Sequence, residues 1–118
     1  MNNINIVILE GRLGRDPEMR YTPTGKMVTH FPIAVNEQRG EQEYVSWFTV
    51  YAWNGLGEIC DKYLRKGRRV LVHGRIHTDR IPSDGTTTYY TKITANQVVF
   101  LDAPPAEETS EPVEDIPF

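Results

Sequence analysis

The sequence is poor in cysteine. Cys60 is the one cysteine among 118 residues, so no disulfide can form within the chain. We expect Cys60 to be a small buried hydrophobic residue, because its neighbours have a helical pattern and include no base that would activate a thiol. A secreted domain stabilised by disulfides is therefore disfavoured.

Long apolar runs are also missing, so no segment is predicted to cross a membrane. The first residues, from Met1 to Asn5, lack the basic start and the apolar stretch of a signal peptide. These two absences lead us to expect a cytoplasmic location.

The sequence contains no pattern typical of a catalytic or metal site. His73 and His77 are four residues apart on a predicted strand, roughly 13 Å at 3.3 Å per residue, so they cannot share one metal ion. The glycines are scattered over turns and form no phosphate-binding loop. We predict no cofactor, no metal and no enzymatic activity.

Charge is distributed unevenly along the chain, although the net charge is only −3. All 13 Lys and Arg lie within residues 1–102 together with 11 of the 16 Asp and Glu, which gives this segment a charge of +2. Residues 103–118 hold the other five acids and no base, a charge of −5. A mildly basic body with an acidic tail suggests nucleic-acid binding with a separate interaction segment.

The apolar patterns predict an all-β fold with one helix. Leu56, Ile59, Cys60, Tyr63 and Leu64 recur at helical spacing and predict one buried helix face. Strand-like stretches cover residues 4–13, 27–35, 45–53, 69–78 and 87–100, with a polar loop at 36–43 and a turn at 82–85. Five strands with a helix between the third and the fourth are the layout of an OB-fold barrel.

Two further features complete this organisation. Pro32 lacks a backbone donor, so we expect an edge or a bulge in the second strand. Residues 103–118 are rich in Pro, Glu, Thr and Ser, and we predict them to be disordered. The chain then divides into an OB-fold domain, residues 1–102, and an acidic tail, residues 103–118.

The third strand carries an unusual outer face. Phe48, Val50 and Ala52 suit the core, and alternation then turns Trp47, Tyr51 and Trp53 outward with Val45 and Thr49. Exposed aromatic rings usually mark a contact surface. Stacking on nucleobases would use such rings without reading sequence, at roughly 1–3 kcal/mol per base. Packing beneath another subunit or a loop is the alternative.

Basic residues on strands and turns favour nucleic acid over that alternative. They supply salt-dependent, sequence-independent contacts to phosphates. Arg75 shares a strand face with Leu71, and we include both among the candidate binding residues with Arg12, Arg20 and Arg80.

Three groups of residues resemble the bacterial and phage single-stranded DNA-binding protein family. The first is Leu13-Gly14-x-Asp16-Pro17-Glu18-x-Arg20-Tyr21-Thr22-Pro23-x-Gly25. The second is Trp47-Phe48-x-Val50 through Trp53, then Tyr63-Leu64-x-Lys66-Gly67-x-x-Val70-x-Val72-x-Gly74, with Tyr90-Thr91 following. The third is the C-terminal tip, Asp115-Ile116-Pro117-Phe118.

The resemblance implies sequence-independent binding and protection of single-stranded DNA in replication, recombination and repair. It implies a homotetramer of OB folds and a nucleoid-associated protein. Trp47 and Trp53 match the stacking positions of the family, in agreement with the face argument. Glu114, Asp115, Ile116, Pro117 and Phe118 match the tip through which the family recruits replication, recombination and repair proteins.

The sequence departs from the family pattern at several aromatic and basic positions. Residues 38–40 stand where relatives often have a stacking Trp, and Ile81 stands where another is common. Thr49 replaces an Arg often found between the stacking positions, and Tyr51 offers some replacement stacking. Both are included among the candidate binding residues. Three other functions stay open: a primosome accessory protein, an RNA-binding chaperone and an OB-fold nuclease.

Overall fold

Six strands and one helix make up the part of the chain that the structure describes. The structure is a computed structural model, and it describes residues 3–102. No helix in this range has the length and apolar character needed to cross a membrane. In chain order the elements are β1 (Val7–Leu13), β2 (Glu18–Tyr21), β3 (Met27–Arg39), β4 (Gln42–Trp53), α1 (Asn54–Tyr63), β5 (Arg69–Ser83) and β6 (Thr86–Phe100).

Five of the strands close into a barrel. Their order is β1-β5-β6-β4-β3, and β3 pairs again with β1 through Ala34 with Arg12 and Ile33 with Leu13. All pairs are antiparallel except β4 with β6, which run parallel over residues 49–51 and 92–94. Because α1 lies between the third and the fourth barrel strands, the predicted OB-fold is confirmed.

The barrel interior holds the side chains that the alternation placed inward. Val50 and Ala52 of β4 are fully buried, and Phe48 packs partly buried against them. Because side chains alternate along a strand, this burial turns the odd-numbered residues of β4 to the surface. Other strands fill the same core with Phe31, Ile33, Val70, Val72 and Ile93.

The buried face of α1 is narrower than the sequence predicts. Cys60 and Leu64 are fully buried, and Leu56 packs against the core. Ile59 and Tyr63 are exposed, so their predicted place on the buried face is wrong. A ten-residue helix contacts the barrel with a single stripe at spacings of three and four, which leaves its flanks in solvent. Burial raises the pKa of the Cys60 thiol to about 12, in line with a packing role.

The β3–β4 hairpin extends beyond the barrel. β3 continues to Arg39 and β4 begins at Gln42, so the predicted polar loop over residues 36–43 is wrong. The residues of this extension are mostly exposed, and they satisfy their backbone groups by pairing with each other.

The β5–β6 hairpin is longer than predicted for the same reason. Paired residues continue to Ser83 and Thr86, which shortens the predicted turn at 82–85 to two residues. Asp84 and Gly85 have φ values of 44° and 77°. Positive φ at both central residues is the conformation that an Asp-Gly hairpin turn favours.

β3 changes its partner at Pro32. It pairs with β2 up to His30 and with β1 from Ile33. The Gly14 amide donates a hydrogen bond of 3.0 Å to the Pro32 carbonyl. Because the N–H and C=O of a strand residue lie on the same side, the N–H that proline lacks would also lie on this side, in the gap between β2 and β1. The proline therefore removes no bond to β4, in agreement with the predicted edge position. The sequence pattern does not predict β2, because all four of its residues are exposed.

Candidate nucleic-acid interface

The outer face of β4 carries the predicted aromatic residues. Trp47 and Trp53 are 60% and 38% exposed, and Tyr51 between them is half-buried. Val50 and Ala52 point inward, so the two-faced interpretation of this strand is confirmed. The row spans about 20 Å from Trp47 to Trp53 at 3.3 Å per residue.

Neighbouring strands widen this row into a surface, which we call the aromatic face. The register that contains Tyr51 runs from Glu18 of β2 through His30 of β3 to Thr94 of β6 and Arg75 of β5. Because neighbouring strands lie about 4.8 Å apart, such rows bring side chains from several strands within reach of one extended ligand. The adjacent row contains Pro32, Thr49, Lys92 and His77.

Trp47 rests on the backbone of Gly14. A Cβ atom placed on Gly14 would lie 2.6 Å from Cζ3 and 2.9 Å from Cη2 of the indole, and 3.6 Å from Cγ of Pro32. Glycine is therefore needed for the ring to lie this close to the residue that follows β1. The protein supports one side of the indole while much of the ring stays exposed, as a stacking platform requires.

Tyr51 is more enclosed than the two indoles. Its ring stacks on His30 with the ring centroids 5.5 Å apart and an interplanar angle of 28°. Lys92 Nζ lies 5.1 Å from the centre of the Tyr51 ring, within the range of a cation–π interaction. Tyr51 is thus held in place by β3 and β6, and it is less free than Trp47 to receive a base.

His30 joins Tyr51 to the charged residues of β2. Burial lowers the pKa of its imidazole, the Arg20 guanidinium lowers it further, and the Glu18 carboxylate acts in the opposite direction. Arg20 Nη2 lies 3.1 Å from His30 Nε2, so this nitrogen accepts the hydrogen bond when the imidazole is neutral. The neutral ring therefore fixes Arg20 on one side and Tyr51 on the other.

A recess of about 510 Å³ opens on the aromatic face. Tyr51, Trp53 and the buried Val28 supply its apolar surface. This volume falls within the range of about 300–1,000 Å³ that is typical of small-molecule sites. Polar side chains around the recess are those of Arg20, Thr22, His77, Asp79, Lys92 and Thr94.

An ion pair in the wall of this recess joins β5 to β6. Lys92 Nζ lies 2.7 Å from Asp79 Oδ2, and both side chains are partly exposed. The hydrogen bond from Lys92 lowers the pKa of the Asp79 carboxyl, and the bond to Asp79 raises the pKa of Lys92. Both groups are therefore charged at neutral pH.

Three of the predicted binding residues lie with the rings. Arg20 lines the recess, Arg75 ends the row of Tyr51, and Thr49 lies between Trp47 and Tyr51 on β4.

Arg12 lies on β1, opposite Ala34 of β3, and Ala34 in turn lies opposite Trp47 of β4. Its guanidinium donates a hydrogen bond of 3.0 Å to the Gly67 carbonyl and lies 3.4 Å from Asp102 Oδ2. Arg12 therefore already has protein partners, unlike a cation reserved for a ligand.

Arg80 and Leu71 lie away from the recess. Arg80 pairs with Tyr89 in the hairpin extension, and alternation turns it to the side opposite Asp79. Leu71 is on the outer surface, but its register partners are Glu10 of β1 and Val99 of β6, at the other side of the barrel. The DNA-binding roles predicted for these two residues stay predictions.

Five residues that are not among the predicted binding residues belong to the site. Gly14 supports Trp47, His30 orients Tyr51, and the recess adds His77, Asp79 and Lys92. The last three are separated from β4 by about 25–40 residues, so their place depends on the β5–β6 register and on the parallel β4–β6 pair. Asp84-Gly85 was the one local feature of the sequence that indicated where the β5–β6 hairpin turns.

Metal ligands do not cluster in the described part of the chain. No group of three or more His, Cys, Asp or Glu side chains between residues 3 and 102 could hold a metal ion. His73 and His77 lie opposite Gln97 and Lys92 on β6.

The predicted docking tip lies outside the described residues. It consists of Glu114, Asp115, Ile116, Pro117 and Phe118. The division of the chain at residue 102 and the disorder of the tail likewise stay predictions.

Curated relatives of the chain carry a common description. The sequence model of the single-strand binding protein family matches residues 4–101. The single-stranded DNA-binding protein of Oceanobacillus iheyensis is 41% identical over 104 residues, which cover 84% of this chain and 64% of the relative. The protein of the same name from Xanthomonas campestris pv. campestris is 39% identical, over 83% of this chain and 60% of the relative. The chain thus spans less than two thirds of the length of these relatives, whose names describe DNA binding and no catalysis.

A solved structure shares the fold. It is described as a Plasmodium falciparum SSB complex with ssDNA, and it matches with a TM-score of 0.78 at 31% sequence identity. The match covers 86% of this chain and 98% of that chain.

Proposed function

The chain belongs to the single-strand binding protein family, and from this membership we propose that it binds single-stranded DNA without reading its sequence. The match over residues 4–101 confirms the resemblance that the first two motif groups indicated. The proposed ligand lies along the aromatic face, with bases on the rings and phosphates at the surrounding cations.

The observation that carries this proposal is the row of Trp47, Tyr51 and Trp53 on the outer face of β4, in which both indoles are exposed. Without a ligand the two indoles are exposed to water, which is unfavourable. Stacking on a base would stabilise each indole by about 1–3 kcal/mol. Arg20 and Arg75 on the same face supply the positive charge that phosphates require. A mixed surface of rings and cations favours a flexible single strand, whose bases are free to turn toward the protein.

Tryptophan fluorescence during titration with oligo-dT tests the proposal. We expect the emission to be quenched and the affinity to fall as salt is added, because phosphate contacts release counterions. W47A and W53A should each weaken binding by about 1–3 kcal/mol. Y63A changes an exposed ring on α1 and is the matched control. Unquenched emission with no binding at low salt would refute the proposal.

The wider role that we propose is the protection of single-stranded DNA during replication, recombination and repair, in the cytoplasm at the nucleoid. The C-terminal tip would recruit partner proteins of these processes. Phe118 offers an aromatic ring, Pro117 limits the freedom of the chain, and Glu114 and Asp115 steer the tip to a basic pocket. The immobilised full chain should retain replication and repair proteins from a bacterial lysate, and F118A should lose them.

We also propose that the chain forms a homo-oligomer, with a tetramer as the assembly that the family resemblance implies. β1 pairs with β5 along its length but with β3 only at Arg12 and Leu13, so in the described residues its edge from Val7 to Gly11 has no partner strand. The apolar side chains of Ile4, Ile6 and Ile8 are exposed near this edge. An open edge with apolar side chains is a surface that proteins usually cover.

RNA is the alternative ligand, because aromatic rings stack on the bases of both nucleic acids. Competition between DNA and RNA oligomers of the same length decides between them. A primosome accessory role would be favoured instead by a dimeric mass together with tip-independent partner binding.

A further inference from the structure

We propose that Asp79 limits the affinity of the chain for DNA by keeping Lys92 away from phosphate. This inference rests on the proposed function and assigns to the recess a residue that opposes binding. Its occupant would be a phosphate of the single strand, which competes with the Asp79 carboxylate for one ammonium group.

The first argument is the geometry of the pair. Lys92 and Asp79 are diagonal neighbours on one face of the β5–β6 hairpin, since Asp79 lies opposite Tyr90 and Lys92 opposite His77. Their charged atoms are 2.7 Å apart, and the two side chains are 29% and 44% exposed. At this distance the Lys92 ammonium donates a short hydrogen bond to the Asp79 carboxylate, although solvent and a ligand can still reach the ammonium.

The second argument is the position of the pair beside the rings. Lys92 lies in the register row next to Tyr51, over whose ring its ammonium is placed. Both members of the pair line the recess together with Trp53 and Arg20. A nucleotide with its base on Trp53 would bring its phosphate close to Lys92 and to the carboxylate at the same time.

The third argument is charge. Among the side chains that line the recess in the described part of the chain, Asp79 is the single carboxylate, against Arg20 and Lys92. A phosphate that enters meets repulsion from Asp79 and a lysine whose charge is already balanced. Asp79 therefore cancels the positive charge of Lys92, and this part of the binding surface is neutral overall.

Neutralising Asp79 should release this cation. D79N keeps the size of the side chain but removes its charge, so Lys92 becomes free to contact phosphate. We expect the affinity for oligo-dT to rise about three- to tenfold, and the slope of log affinity against log salt to steepen by about 0.7, the value for one added phosphate contact on a single strand.

Two comparisons separate this effect from a general change in charge. D84N removes a carboxylate from the tip of the same hairpin, where Asn tolerates the positive φ, and it should change affinity and slope little. In the K92Q background, D79N should no longer steepen the salt slope, because the released cation is absent. D79S repeats the neutralisation with a smaller side chain, and thermal unfolding reports whether each variant keeps its fold.

The outcomes are distinct. A steeper slope in D79N and D79S, lost in the K92Q background, supports the proposal. If the wild-type protein binds oligo-dT but D79N has the affinity and slope of D84N, the role of Asp79 is refuted while the proposed function stands. If the wild-type protein leaves oligo-dT unbound at low salt, both are refuted.

Discussion

At the scale of single residues, the site depends on small neighbours that carry no binding chemistry themselves. Gly14 lets the indole of Trp47 lie against the backbone, and His30 fixes the ring of Tyr51. The sequence shows which rings face outward, because alternation along one strand is a local property. It does not show what lies beneath each ring, since those contacts join residues from separate strands.

A methyl group at residue 14 should disturb Trp47. In G14A the added carbon would lie within 3 Å of the indole, so the ring must move from its support. We expect binding to oligo-dT to weaken by up to the value of one stack, about 1–3 kcal/mol. G55A is the matched control, because a Cβ at Gly55 has no atom within 4 Å. If G14A in the W47A background weakens binding further, the effect does not act through the indole.

His30 should make the stability of the fold depend on pH. Its pKa in the folded protein is lowered, chiefly by burial and then by Arg20, whereas the unfolded chain has a pKa near 6.5. As the pH falls below about 6.5, the unfolded state takes up the proton first, so stability decreases until the folded pKa is passed. Thermal unfolding between pH 7.5 and 5 should show a decrease that H30Q reduces and H73Q does not. Equal pH dependence in H30Q and the wild type would contradict this.

At the scale of elements, the strands that bury one face could be predicted and the extensions could not. β4 was visible because Phe48, Val50 and Ala52 point to the core and alternate with residues that point to the outer face. Residues 36–43 and β2 are exposed on both faces, so their pairing leaves no apolar pattern in the sequence. The ion pair of Lys92 with Asp79 depends on the β5–β6 register. The sequence predicted a turn of four residues, and a turn of this length does not determine which residues of the two strands pair.

The end of the β5–β6 hairpin should matter for binding and little for folding. Removing residues 80–83 and 86–89 keeps the Asp84–Gly85 turn, and because four residues are removed from each strand, the remaining side chains stay on the same faces of the hairpin. Every removed residue is exposed. We expect the melting temperature to change by a few degrees at most, since no core contact is lost. If Arg80 contacts phosphate as predicted, the salt slope should become shallower by about 0.7, and R80Q should reproduce this change. An unchanged slope in both variants would remove Arg80 from the interface.

At the scale of the whole molecule, residues 1–102 and 103–118 have opposite net charges, and within the described residues β1 has an unpaired edge with exposed apolar side chains nearby. The charge division was visible in the sequence because it needs only counting. The unpaired edge of β1 could not be predicted from the sequence, because the residues after Asn3 have the same apolar pattern whether or not a second strand covers them.

Charged substitutions at this edge should change the assembly. I8K places an ammonium where the proposed second copy would pack, at a side chain that is 61% exposed in the single chain. We expect a smaller mass by light scattering with the barrel still folded. I59K changes an exposed isoleucine on α1 and should leave the mass unchanged. A wild-type protein that is monomeric at micromolar concentration would refute the oligomer.

The parallel pairing of β4 with β6 has a consequence for the order in which the protein acquires its activity. Thr49 lies opposite Lys92, about 40 residues later in the chain, so closure of this pair is a long-range event. Long-range pairings are slow to form because the loop between them must first be ordered. During synthesis the row of rings on β4 is complete long before β6 has left the ribosome. The nascent chain should therefore bind DNA only after β6 has been synthesised and has paired with β4.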